Sequence, residues 1–405
     1  MAKEIERPGS VAGQHLRYRG LLLSITIFPA IAFICLCLYL RFSTDLFAYF
    51  LWGRIIAVNS PRWGYLDRSN KLIVDFNSIQ SRFYPYFMGP FMENRARIQI
   101  ANPAGEKRYL FIDKHGVKTS GLYASLKDYS EGLAAAEQLE GRGFGFIDQS
   151  GRWSIKPSYK NAQSFSEGLA AVQNRDNNLW GYIDRTGRIV IPFIYSAAGE
   201  FHEGLAVVSA RNKYGYLDKK GNRIIPLIYD FGWRFSDGLA AVDKHLSRSD
   251  KCERIYLDHQ GHLVFKYLDD RHTSSDGSQD PTFSNGLALK HASGGYGYID
   301  KTGRFAISPR FSFARPFKSN RAIIAMPKVP SFYGAIDSSG ELVLPRKFKH
   351  LGDFSDGLAV ATVDGTHFGY VNSIGEFVIQ PTIMGVADSF SDGVAAIGRT
   401  PEVNL

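Results

Sequence analysis

Cysteine is almost missing from this 405-residue chain, with three copies at Cys35, Cys37 and Cys252. The first two fall in one apolar run, so Cys252 is alone in the remainder. That excludes a disulfide framework or a cysteine-based zinc site there. A Gly-rich phosphate loop, a His-Glu-x-x-His pair and a Gly-x-Ser-x-Gly elbow are also missing, which removes the usual sequence signs of nucleotide, zinc-protease and hydrolase chemistry. No long block of one charge sign occurs. The 48 Lys and Arg against 39 Asp and Glu read as a mild bias spread along the chain, and no nucleic-acid surface is expected. With 44% apolar residues the chain has the composition of a folded protein.

What it has in abundance is repetition. An aromatic–Gly–aromatic–Ile/Leu–Asp motif closes on Asp67, Asp113, Asp148, Asp184, Asp218, Asp258, Asp300, Asp337 and, drifted, Asn372, at intervals of 34 to 46 residues. A second motif, Phe-Ser-Glu/Asp-Gly-Leu-Ala, lies between copies of the first, as at Phe165–Ala170 and Phe235–Ala240. Aromatic and β-branched residues over five or six positions, bounded by Gly and Asp, read as short strands. Along such a strand Trp180 and Tyr182 share one face, so these rings are expected in the core. Gly181, between them, is expected to admit a neighbouring ring or backbone.

The turns follow the same logic. Asp-x-x-Gly recurs with Asn70 as the one replacement, and the Gly of Glu/Asp-Gly-Leu-Ala is replaced by Asn94 and Asn320. Asn tolerates positive φ best after Gly, so both positions are expected to be left-handed. The repeated Asp is expected to bond its own backbone two residues on, a structural role rather than a catalytic one. A Pro after many third strands, as at Pro192, Pro226 and Pro345, is expected to mark the strand end. The predicted fold is all-β: nine three-stranded antiparallel meanders. An open curved solenoid is favoured because nine units exceed the usual blade number of a propeller. The alternative is a closed propeller-like ring in which Phe390–Ile397 pairs with Trp63–Asp67.

These motifs resemble the WG-containing (KWG) repeat family of bacteria, over roughly Trp63 to Ile397. Trp-Gly itself occurs at Trp63-Gly64 and Trp180-Gly181, while Leu110 and Ile255 replace the Gly in units two and six. The resemblance implies a bacterial β-repeat interaction module without catalytic residues or cofactors.

Leu21–Leu40 is a twenty-residue run without a charge, long enough to span a hydrocarbon core. It is expected to be an uncleaved transmembrane anchor, with a signal peptide as the alternative. Lys3, Arg7, Arg17 and Arg19 precede it, against Arg41 and Arg54 after it, which predicts a cytoplasmic tail 1–20 and an extracytoplasmic array. A cytoplasmic array is the alternative. Residues 41–62 then form a juxtamembrane linker, 63–397 the array and 398–405 a tail.

No catalytic, cofactor or metal site is expected. The place that departs most from the repeat is unit six, with a long hairpin at Lys244–Arg254 and a polar insertion at Asp269–Pro281. Specific recognition needs asymmetry, and insertions in repeats map to loops on one face. The candidate partner-binding residues are therefore His245, Arg248, Lys251, Arg254, His259, His262, Asp269, Asp270, Arg271 and His272. The expected function is a membrane-anchored scaffold binding a protein or glycan at the bacterial envelope. A passive spacer and an enzyme with its site in unit six are the alternatives.

Overall fold

A computed structural model describes residues 62–75, 85–101, 105–246, 251–270, 281–327 and 329–399. All belong to the second of two units of the chain, Pro61–Leu405. The run Leu21–Leu40 and the tails around it lie outside the described residues. Among the described residues no helix is long and apolar enough to cross a membrane. They consist of strands and turns with one 3-10 turn at Leu139–Gly141.

Repeats two to eight each build one small antiparallel sheet, while repeats nine and one share a seven-stranded sheet through Phe377–Ala387; sheets are numbered here by the Asp motif they carry. Sheet four is ordered Asn161–Ala162, Leu169–Gln173, Trp180–Asp184, Ile189–Tyr195. The expected meander is present, and a short strand precedes it. This extra strand recurs as Ser125–Leu126, Phe231–Gly232, Phe313–Ala314 and His350–Leu351.

Proline does not end the outer strand, contrary to expectation. Ile189–Tyr195 runs through Pro192, and Arg223–Tyr229 runs through Pro226. In sheet four, Trp180 pairs with Tyr195 and Tyr182 with Ile191, so three outer residues face Gly181 alone. The ladder is broken in this bulge, and a residue without an N–H gives up nothing there. The bulge presses the outer backbone onto the glycine. A Cβ on Gly181 would lie 2.5 Å from the Ile191 carbonyl oxygen, and one on Gly215 would lie 2.5 Å from that of Ile225. The Gly of the motif and the bulged Pro strand are thus one device, and the approach expected at Gly181 is made by backbone.

The core lies between sheets. The third position of the motif is fully buried and aromatic in every repeat but the eighth, which has Ala335, as in Tyr65, Tyr182, Tyr216, Tyr298 and Tyr370. These tyrosines pack edge-on against the motif-two Phe of the next sheet: Tyr182 with Phe201 at 5.0 Å, Tyr298 with Phe317 at 4.8 Å, Tyr370 with Phe390 at 4.7 Å. Their hydroxyls donate onward, Tyr182 to the Gly199 carbonyl at 2.8 Å and Tyr370 to that of Asp388 at 2.8 Å. Burial holds these phenols well above their ordinary pKa. The first aromatic, Trp180, is only partly buried.

The array closes on itself. Arg62–Asp67 pairs antiparallel with Val394–Arg399 over six residues, so the last repeat supplies strands to sheet one. The favoured open solenoid is therefore replaced by the closed alternative. The two half-hairpins at the ends are complementary, and pairing them leaves neither edge exposed.

Both turn glycines are left-handed as expected: φ is 87° at Gly168, 83° at Gly204 and 85° at Gly187, while Asn70, Asn94 and Asn320 take 60–64°. Nothing lies within 4 Å of a Cβ built on Gly204. Gly204→Asn should therefore cost less than about 1 kcal/mol, while Gly204→Val should cost more through backbone strain alone. Gly181→Ala, with ordinary φ but no room, should cost about 1–3 kcal/mol. Denaturant melts check the series, and equal losses for Asn and Val at position 204 would contradict it.

Candidate partner-binding surface on sheet six

The register places the two turn types together. Leu169 pairs with Asp184 and Gln173 with Trp180, so the Phe-Ser-Glu-Gly and Asp-x-x-Gly turns share one end of the sheet. The variable hairpins occupy the opposite end. The chain enters the array at Arg62 on that hairpin end and leaves it there at Arg399, because Asp67 pairs with Val394 at the turn end.

The turn end is a continuous belt. The acidic residue before each turn glycine is itself left-handed, with φ between 51° and 55° at Glu131, Glu167, Glu203 and Asp237. Two successive positive-φ residues make a tight primed turn. The carboxylate then reaches the next sheet: Glu131 accepts from the Gly168 N–H, Glu167 from Gly204 and Glu203 from Gly238, each at 3.0 Å. Across the seam Asp392 accepts from the Asn94 N–H at 2.8 Å. Serines add a second link, Ser166 Oγ donating to the Phe201 carbonyl at 2.6 Å and Ser391 Oγ to that of Phe91 at 2.5 Å. In several repeats the residue after the Asp motif adds to the pattern, as Lys219 Nζ lies 3.0 Å from Glu167. Partial burial opposes ionisation of Glu167, yet the Lys219 and Gly204 donors hold its pKa below the usual value.

The Asp of each Asp-x-x-Gly turn behaves as expected. Asp184 Oδ1 accepts from the backbone N–H of Thr186 at 2.9 Å and Arg188 at 3.0 Å. The Thr186 hydroxyl is the largest cause of its lowered pKa.

His259 and His262 belong to this end. His259 occupies the repeat position of Lys219, stacks on Phe235 at 4.7 Å and lies 3.1 Å from Glu203. His262 faces Asp258 within its own turn at 3.1 Å. Neither is brought together with the other candidates.

At the hairpin end of sheet six a different arrangement appears. Ile255 stands where every other sheet except sheet two has Gly, and Lys266 stands at the repeat position of Pro192 and Pro226. Without room for a bulge, the outer strand Leu263–Asp270 pairs regularly from Phe265 to Asp270. The straight strand carries Asp269 to Arg254. The Arg254 guanidinium bonds Asp243 through Nε and Nη2, both at 2.9 Å, and Asp269 through Nη1 at 2.8 Å. It also lies over the Trp233 ring at 4.7 Å. Arg254 and Asp243 side chains are 3% and 2% exposed. Burial opposes the charge of Arg254, but the Asp243 carboxylate outweighs it and raises the pKa. Cys252 is buried beside them, and burial pushes its thiol up to about 12, far from a reactive thiolate.

Of the remaining candidates, His245 is exposed at the end of Ala240–His245, its N–H donating to Asp230 at 2.8 Å. Lys251 is exposed at the start of the next strand. Asp270 ends the outer strand, and Arg248, Arg271 and His272 lie outside the described residues. The sequence reading missed Asp243, Trp233 and Lys290, whose Nζ sits over the Tyr267 ring at 3.2 Å. The available signal was the pair Asp243 and Arg254, an acid opposite a base at a cross-strand position where sheets three, four and five place Phe144, Trp180 and Tyr214. Among the described residues no three His, Cys, Asp or Glu side chains converge as metal ligands.

This is a β-repeat protein in which sheets two and six depart from the common pattern. Six segments, 144–177, 180–214, 214–245, 296–326, 333–366 and 368–397, match the WG containing repeat, and the chain belongs to that family. No curated protein matches it. Among solved structures it is similar to BamB from Moraxella catarrhalis, at 13% identity and TM-score 0.36, covering 70% of this chain and 92% of that one. It is also similar to Hsv2p of Kluyveromyces lactis, at 9% identity and TM-score 0.33, covering 68% and 88%. Likenesses this distant transfer no function.

Removing one partner of a buried ion pair costs about 3–5 kcal/mol because the other charge stays buried. Asp243→Ala should lose that much in a denaturant melt, and Asp243→Leu with Arg254→Met together should lose far less. A double variant as unstable as the single one would contradict this account of the cluster.

Proposed function

We propose that the chain is a membrane-anchored scaffold that binds a protein or glycan partner at the bacterial envelope through the hairpin end of sheet six. One observation carries the reading: the buried Arg254 cluster is the place where this sheet departs from the repeated chemistry. It ties together the strands that carry the long hairpin Lys244–Arg254 and lead into the polar insertion Asp269–Pro281. Segments held at their roots by a rigid polar cluster can present a defined surface, whereas the turn end spends its polar groups on joining sheets. Anchoring rests on Leu21–Leu40 and its flanking charges, and the spacer alternative remains an outcome of the test.

Arg254 and Asp269 hold the sheet together, so a trimmed variant has to keep them. Removal of 247–250 and 272–280, bridged by short Gly-Ser links, should leave the melting temperature nearly unchanged and reduce partner recovery from bacterial membranes. Full recovery by a well-folded trimmed protein would leave the spacer reading.

A further inference from the structure

The belt, the sheet cores and the Arg254 cluster account for most buried polar groups, but not for the open cleft between sheets seven and eight. It has a volume of about 400 Å³, with apolar walls that include Phe311, Ile324, Met326 and Leu342. Arg310 and Arg346 line it, together with Glu341.

The other repeats act as internal controls. At the position of Arg346, sheets four and five carry Phe193 and Leu227, both packed against core clusters. At the position of Arg310 they carry Ile194 and Ile228. The Arg346 position carries an aromatic, aliphatic or proline side chain in sheets three to seven and nine, whereas the Arg310 position also takes Ser158, Lys347 and Thr382; between sheets seven and eight guanidiniums stand at both. Arg310 Nη2 donates to the Gly340 carbonyl across the cleft at 2.9 Å, which fixes it while leaving its other donors available. Arg346 has no carboxylate partner among the described residues.

The stretch of chain that builds the cleft is basic. Residues 301–350 contain ten Lys or Arg and two Asp or Glu, a surplus of eight, against nine for the whole chain. Such a field draws anions to a cleft whose apolar walls strengthen each contact.

We propose that this cleft binds an acidic peptide segment, one apolar side chain filling the cleft and flanking carboxylates meeting Arg310 and Arg346. A concave site of this size takes a single large side chain, and paired guanidiniums suit carboxylates. A flat anionic membrane would leave the cleft empty. The proposal rests on the scaffold reading and adds a partner chemistry to it.

The test is fluorescence polarisation with full-length protein in neutral detergent and a labelled ten-residue peptide of Asp, Glu and Ser with one central Phe. It should bind, and rising salt should weaken it. Replacing Phe by Ser, or the acids by Lys, should weaken binding at least about tenfold, and so should Arg346→Leu or Arg310→Ile, the loss expected for one charge-assisted hydrogen bond. Both substitutions occur at these positions in sheet five and should preserve the melt. A photoreactive Phe analogue in the peptide should crosslink near Met326 or Leu342, a readout independent of any variant. Equal binding of the Phe-free peptide, unchanged binding by folded variants, or crosslinks elsewhere would overturn the proposal. So would binding of anionic bicelles without binding of peptide. If peptide binding fails while partner recovery still depends on the sheet-six insertions, this assignment falls and the scaffold reading stands.

Discussion

The structure depends on a carboxylate that crosses from one sheet to the next. A lone two- to four-stranded sheet of this size cannot bury enough apolar surface to be stable, so each needs its neighbours. The tight turn places an acidic residue at positive φ, a conformation that costs about 1–3 kcal/mol for a non-glycine residue. Its carboxylate then accepts the N–H of the next turn, and hydrogen bonds to charged groups contribute about 1.5–3 kcal/mol. The two effects are of one size, so the strain persists because the neighbour is present. Seven of the nine joins use a carboxylate in this way. At the other two, Asn285 donates to Asn320 at 2.5 Å and Ser319 to the Phe354 carbonyl at 3.3 Å.

A second constraint pairs the motif glycine with the bulged outer strand. Sheet six tests it within the chain: glycine becomes Ile255, proline becomes Lys266, and the bulge at that level is lost. Sheet two agrees, because Leu110 replaces the glycine and only the bridges Tyr109–Tyr123 and Ile112–Lys118 remain where an outer strand would stand. Loss of the bulge in sheet six brings Asp269 onto Arg254, so the irregular polar cluster is a consequence of one substituted glycine.

Much of this was legible in the sequence, and the limits have physical causes. Turn glycines and the motif aspartate act through contacts within five residues, which a sequence displays directly. Closure depends on strands at residues 62–67 and 394–399, and the same local motifs fit an open or a closed array. The candidate list grouped His259 with Arg254 because they are near in sequence. Strands alternate ends, so five residues separate a belt position from a buried ion cluster. Asp243 was overlooked because a lone acid in a strand reads as solvated until its partner is placed.

Amide hydrogen exchange on the turn glycines tests the belt most directly. In the intact protein Gly168, Gly204 and Gly238 should exchange slowly despite their position in exposed turns. Glu167→Ala should release Gly204 alone, leaving Gly168 and Gly238 protected. Fast exchange at all three in the intact protein, or continued protection of Gly204 in that variant, would contradict the claim that the crossing carboxylate holds the sheets together.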